Sequence, residues 1–136
     1  MEHTYCILPE GPVLFVKLSG ELLMEDVLKV TIEGERLAEA RGIDRICVSF
    51  KDIRTGLGLR DIHELVRFYE IAGVPTSRRI ALVIPESEEW AMDYAFYQVA
   101  CEGRGYRPRR FTSEASALRW LNAGAAIAEG KSASRG

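Results

Sequence analysis

Arg79-Ile80-Ala81-Leu82-Val83-Ile84 is the stretch on which the fold turns. It is short, apolar and rich in β-branched residues, and Pro75 and Pro85 bound it, so it reads as a strand and not as part of a helix. No polar residue interrupts it after Arg79, and it is therefore expected to be central and buried on both faces. Successive side chains of a strand point to opposite sides, which places Ala81 and Val83 on one face and Ile80, Leu82 and Ile84 on the other.

Upstream, Arg45-Ile46-Cys47-Val48-Ser49-Phe50 has the same apolar strand character, and Leu59, Ile62, Val66 and Tyr69 then mark a helix closed by Gly73-Val74-Pro75. Earlier still, Tyr5-Cys6-Ile7-Leu8 and Val13-Leu14-Phe15-Val16-Lys17-Leu18 flank the turn-forming Pro9-Glu10-Gly11-Pro12, which predicts an opening antiparallel hairpin. Leu23, Val27, Val30, Gly34, Leu37 and Ala38 recur at three and four residues, the spacing of one helix face, and Gly42 supplies a stop.

Downstream, a third helix is expected over about 88–103, a last strand over about 107–111, and a fourth helix capped by Ser113 that carries Ala117, Leu118, Trp120 and Leu121. The order ββαβαβαβα, with right-handed crossovers, predicts an α/β domain: one mostly parallel sheet opened by a β-hairpin, with four helices. The domain is expected to span 1–123, and the Ala-, Gly- and Ser-rich stretch 124–136 to form a disordered tail.

The 136 residues, 47% hydrophobic and 28% charged, match a single globular domain. A net charge of −2 gives no reason to expect a nucleic acid partner. The basic segment Arg104, Arg107, Arg109 and Arg110 around Tyr106 reads as solvent-facing charge near a helix C-terminus. Apolar runs fall far short of the roughly 20 residues a membrane span needs, and the N-terminus has no secretory pattern, so the expected compartment is the cytoplasm.

Cys6, Cys47 and Cys101 form no CxxC pair and are expected to be buried thiols, and His3 and His63 have no metal-ligand spacing. No metal or cofactor is expected. The chain has no GxSxG and no GxxxxGK[ST], and its carboxylates fall on predicted helix surfaces. His63 follows Thr55 at a distance that coincidence explains, so no catalytic residue is assigned.

The hairpin leading into Leu18-Ser19-Gly20-Glu21, the strand at 79–84, and Phe111-Thr112-Ser113-Glu114-Ala115 leading to Ala117-Leu118-Arg119-Trp120-Leu121 together resemble the SpoIIAA-like branch of the STAS superfamily. That superfamily's α/β domains include anti-sigma-factor antagonists and lipid-pocket relatives of the CRAL-TRIO type. Thr55-Gly56-Leu57-Gly58 is similar to the Ser-Gly-Leu-Gly stretch that carries the phosphorylated hydroxyl in the antagonists, with Thr55 at the hydroxyl position. Asp52 stands three residues before Thr55, where the motif has two, and Ile53-Arg54 replace small hydroxyl residues.

Without the resemblance, Gly56 and Gly58 predict a sharp turn into a helix whose positive end points back at the loop. Arg54 and Arg60 flank it, an arrangement that suits an anion or a phosphorylated Thr55. A plain strand-to-helix turn with a threonine cap is the alternative.

The third helix has two apolar stripes. At 100° per residue, Met92, Ala95, Phe96, Val99 and Gly103 gather on one side, expected to pack on the sheet. Trp90, Tyr94, Tyr97 and Cys101 gather on the other, where they would meet a neighbouring helix, a second copy of the chain in a homodimer, or a small apolar ligand. The sequence thus predicts a non-enzymatic regulatory or protein-interaction domain of STAS type switched at the Thr55 loop, with a carrier or sensor of a small apolar ligand or lipid as the alternative.

Overall fold

A computed structural model describes residues 1–9 and 12–130, with the backbone alone over 124–130. The tip of the expected first turn, Glu10-Gly11, and residues 131–136 of the expected tail lie outside the described residues. The elements are β1 (Glu2–Leu8), β2 (Val13–Glu21), α1 (Met24–Arg41), β3 (Arg45–Thr55), α2 (Leu59–Ile71), β4 (Arg79–Val83), α3 (Glu88–Glu102), β5 (Arg109–Phe111) and α4 (Glu114–Gly130). The helical backbone of α4 thus runs past the boundary expected at residue 123.

The strands lie side by side in chain order, β1-β2-β3-β4-β5. β1 is antiparallel to β2, with Leu8 opposite Val13, and the remaining pairs are parallel. Right-handed crossovers between strands that advance in one direction put every connecting helix on the same face. Accordingly α1, α2 and α3 share a core with Leu14, Val16, Ile80 and Leu82, while α4 packs on the opposite face over Val13, Cys47, Ala81 and Val83. β4 is therefore interior and buried on both sides, with its residues divided between the faces as alternation requires.

β3 extends five residues past the expected end at Phe50, because Ile53 returns to the core while Lys51, Asp52, Arg54 and Thr55 stay outside. Its register against β2 shifts between Lys17 and Ser19 and again at Gly20, and such irregularities re-aim the end of a strand. The polar Lys51-Asp52 pair masks this extension in the sequence.

Helix ends follow their capping residues. Gly42, at φ +64, ends α1 and lets the Ile43 N–H donate to the Ala38 carbonyl at 2.9 Å. Ser87 caps α3 by accepting from the Trp90 N–H at 3.1 Å, and Ser113 accepts from the Ser116 N–H at 3.1 Å as α4 begins. Arg78, 7% exposed, pins α1 to the approach of β4: Nε donates to Glu35 at 3.1 Å and Nη1 to the Ile43 carbonyl at 2.6 Å.

Two expectations about burial are corrected. Cys6 is exposed on the edge strand β1, whereas Cys47 and Cys101 are buried. The faces of α3 are reversed: Tyr94, Tyr97 and Cys101 are buried, Trp90 is half-buried, and Met92, Phe96 and Val99 are exposed. Angular arithmetic groups the residues correctly but does not say which group turns inward. Turning the larger aromatics inward removes more apolar surface from water and gives the Tyr97 hydroxyl a partner.

Candidate functional site

The face covered by three helices is not closed. Between β2, β3 and β4 on one side and α1, α2 and α3 on the other lies a cavity of about 170 Å³. Leu14 and Leu82 form its floor, Val30 and Leu65 its helical walls, and Trp90, Tyr94 and Tyr97 its α3 side. A space of that size is unusual for a well-packed interior, where voids much larger than a water molecule are few.

The polar groups at this cavity are few and mostly engaged. Tyr69 and Tyr97 share a hydrogen bond between hydroxyl oxygens 2.8 Å apart, with their rings edge to face. Burial raises the pKa of both hydroxyls, so they remain protonated. Glu35 is held by Arg78, and the Thr31 hydroxyl donates to the Val27 carbonyl at 2.8 Å. Tyr94 differs: its hydroxyl is buried and has no hydrogen-bond partner among the described residues. Asp93 also borders the space, and burial, with Glu89 nearby, pushes its carboxyl pKa up.

The Thr55 loop adjoins this cavity. Thr55 is exposed at the last position of β3, and its carbonyl accepts from the Leu22 N–H at 2.9 Å. It does not cap α2; that position belongs to Gly58, with no side-chain cap. Neither Gly56 nor Gly58 has a positive φ, so the turn does not need glycine for its backbone angles. A Cβ at Gly56 would lie 3.5 Å from Cη2 of Trp90, an ordinary van der Waals contact, so the turn packs beside the indole without a steric need for glycine there. Leu57 and Trp90 both line the cavity, and the Phe50 ring sits 6.0 Å from that of Trp90. Arg54 and Arg60 are exposed beside the loop, and neither takes part in an ion pair among the described residues.

The expected interface residues Trp90, Tyr94 and Tyr97 are therefore brought together, but around an interior space and not on a surface. The cavity itself was missed by sequence reasoning. Its clearest signal is the tyrosine cluster: Tyr69 meets Tyr97 and also Tyr106, whose hydroxyl donates to the Val74 carbonyl at 2.8 Å. The basic segment is largely absorbed by structure, with Arg104 paired to Glu70, Arg109 near the Trp120 ring, and Arg110 over Tyr94.

Burial pushes the thiol pKa values of Cys47 and Cys101 up to about 12, which keeps both protonated and poor as nucleophiles. His63 is exposed on α2 beside Glu64, and no hydrogen bond joins it to Thr55 among the described residues. Among the described residues no cluster of three or more His, Cys, Asp or Glu is placed to hold a metal ion, and no helix is long and apolar enough to cross a membrane.

No family model and no curated protein matches the chain. Among the solved structures that resemble it, two match over most of its length. One is an uncharacterised protein of the DUF3478 family with a SpoIIAA-like fold from Shewanella loihica PV-4, at 20% identity over 88% of this chain and 93% of that one, with a TM-score of 0.57. The other is the anti-sigma factor antagonist SpoIIAA in its unphosphorylated form, at 14% identity over 89% and 98%, with a TM-score of 0.53. The chain has a SpoIIAA-like α/β fold.

Proposed function

We propose that this chain is a non-enzymatic regulatory module of the cytoplasm that takes a small apolar ligand into the cavity under α1, α2 and α3. The observation that carries the reading is the cavity of about 170 Å³, walled almost entirely by apolar side chains. Interior voids destabilise in proportion to their size, so one of this volume is a standing cost that a ligand offsets. The expected carrier or sensor role thereby gains support that the sequence did not supply.

The Thr55 loop is the proposed output of this module. Trp90 touches both the cavity and Gly56, so a ligand that shifts the indole also shifts the turn that presents Thr55, Arg54 and Arg60 to a protein partner. Phosphorylation of Thr55 would add about −1.5 to −2 charge beside these arginines and the uncapped start of α2. A partner or a second copy of the chain would meet the exposed apolar stripe Met92, Phe96 and Val99, which replaces the buried aromatics as the proposed contact.

Native mass spectrometry of freshly purified protein tests the reading. The expected result is a fraction of molecules carrying a small noncovalent adduct that organic extraction removes. Uniformly ligand-free protein that also binds no member of a library of small apolar compounds would contradict it.

A further inference from the structure

The polar groups that line the cavity are not equally open to an occupant. Glu35 is held by Arg78, the Thr31 hydroxyl donates to the Val27 carbonyl, and the Tyr69 and Tyr97 hydroxyls bond to each other. The Tyr94 hydroxyl is shut off from solvent, so a molecule in the cavity does not reach it. Asp93 is what remains. It lines the cavity, is half-buried, and takes part in no hydrogen bond or ion pair among the described residues. Nor are its carboxylate oxygens among the unpaired polar atoms closed to solvent, so an incoming group can meet them.

This carboxylate stands where the Thr55 loop meets the cavity. A Cβ at Gly56 would lie 3.9 Å from Oδ2 of Asp93 and 3.5 Å from Cη2 of Trp90, so the acid and the indole flank the same point of the loop. Leu57, the next residue, lines the cavity, as do Phe50 and Trp90, whose rings lie 6.0 Å apart. Burial and the nearby Glu89 both disfavour the charged form of Asp93, and no lysine, arginine or histidine of the lining offsets them. A cation placed there relieves that cost through a charge-assisted hydrogen bond and gains further from the aromatic rings.

We infer that the cavity takes a ring-sized amine, with the apolar ring inside and the ammonium at the loop end, paired with Asp93 beside the Trp90 indole. The inference rests on the cavity being a ligand site, as proposed above. Volume sets the ring: about 170 Å³ is close to the roughly 150 Å³ of cavities that accept benzene, so one ring or a small fused pair fills it. The unpaired carboxylate sets the sign of the charge, because it attracts an ammonium and repels an acid of the same shape. The role is recognition alone, and no bond is made or broken.

Calorimetric titration near neutral pH with indane, 2-aminoindane and indane-2-carboxylate compares one ring system in neutral, cationic and anionic form. Indane reports whether the cavity takes a ring at all. The amine is expected to bind at least about tenfold more tightly than the carboxylate. Asp93→Asn keeps the shape of the side chain and removes its charge, so it should bring the two charged compounds to within about threefold of each other. Where indane binds, a wild-type preference for the amine below about tenfold, or one left above about threefold in Asp93→Asn, would overturn this inference while sparing the cavity as a ligand site. Failure of both charged compounds to bind would do the same. Binding of none of the three would overturn both. If Asp93→Asn does not fold, the ranking on the wild type decides alone.

Discussion

β4 has two faces that solve the same packing problem differently. Towards α4, the small Ala81 and Val83 meet Ala117 and Leu121, and all four are fully buried. Towards α1, α2 and α3, the larger Ile80, Leu82 and Ile84 are also buried, yet a cavity remains above them. One helix can settle onto small side chains until the gap closes. Three helices that also contact one another, α1 against α2 and α2 against α3, hold each other off the sheet, and side chains as large as Tyr94 and Tyr97 bridge the distance without filling it. A compact face gives stability, and the looser one leaves room for a ligand.

The ion pair that braces the open face should show the largest effect. Arg78→Leu leaves the part-buried Glu35 beside the cavity without its partner, and we expect a loss of about 3–5 kcal/mol in urea denaturation. A loss below about 1 kcal/mol would show that the pair contributes little to holding α1 in place. Leu82→Ala should follow at about 2–5 kcal/mol, because it enlarges a void that already exists; affinity for ring-sized ligands should persist in calorimetry, which separates stability from binding.

On the closed face the sign of the volume change reverses. Ala81→Leu forces extra atoms against Ala117 and Leu121, and the expected cost is about 1–3 kcal/mol. An unchanged denaturant midpoint would mean that this face is as loose as the other. The smallest effect should be a gain. Gly34 lies within α1 and lines the cavity, and a Cβ there would meet Tyr5 at 3.9 Å and Leu14 at 4.0 Å, both ordinary contacts. Gly34→Ala should therefore raise stability by about 0.5–1 kcal/mol through helix propensity, read as a higher thermal midpoint.

The elements were legible in the sequence where local chemistry decides them. The strand at 79–84 is apolar between prolines, Gly42 stops α1, and Ser113 starts α4, each by a rule that needs no knowledge of neighbours. The orientation of α3 was not legible. Apolar residues surround its axis, so the inward face is set by what the sheet and α2 present, including the Tyr69 hydroxyl that meets Tyr97. The loop was half legible: its place between β3 and α2 and the exposure of Thr55 follow from sequence, but its packing beside the Trp90 ring, some thirty positions away, does not. A cavity cannot be read at all, since it is a property of how far apart elements stand.

The claim at the centre of this account is that the two faces of the sheet differ in their capacity to take a ligand, and methyl NMR of the protein titrated with indane tests it most directly. The account predicts saturable shifts at Leu14, Val48, Leu65 and Leu82, which border the cavity, with Val13, Val83 and Leu121 on the closed face left unmoved. Shifts confined to the surface stripe of Val99 and its neighbours, or no saturable shift at any methyl, would contradict it.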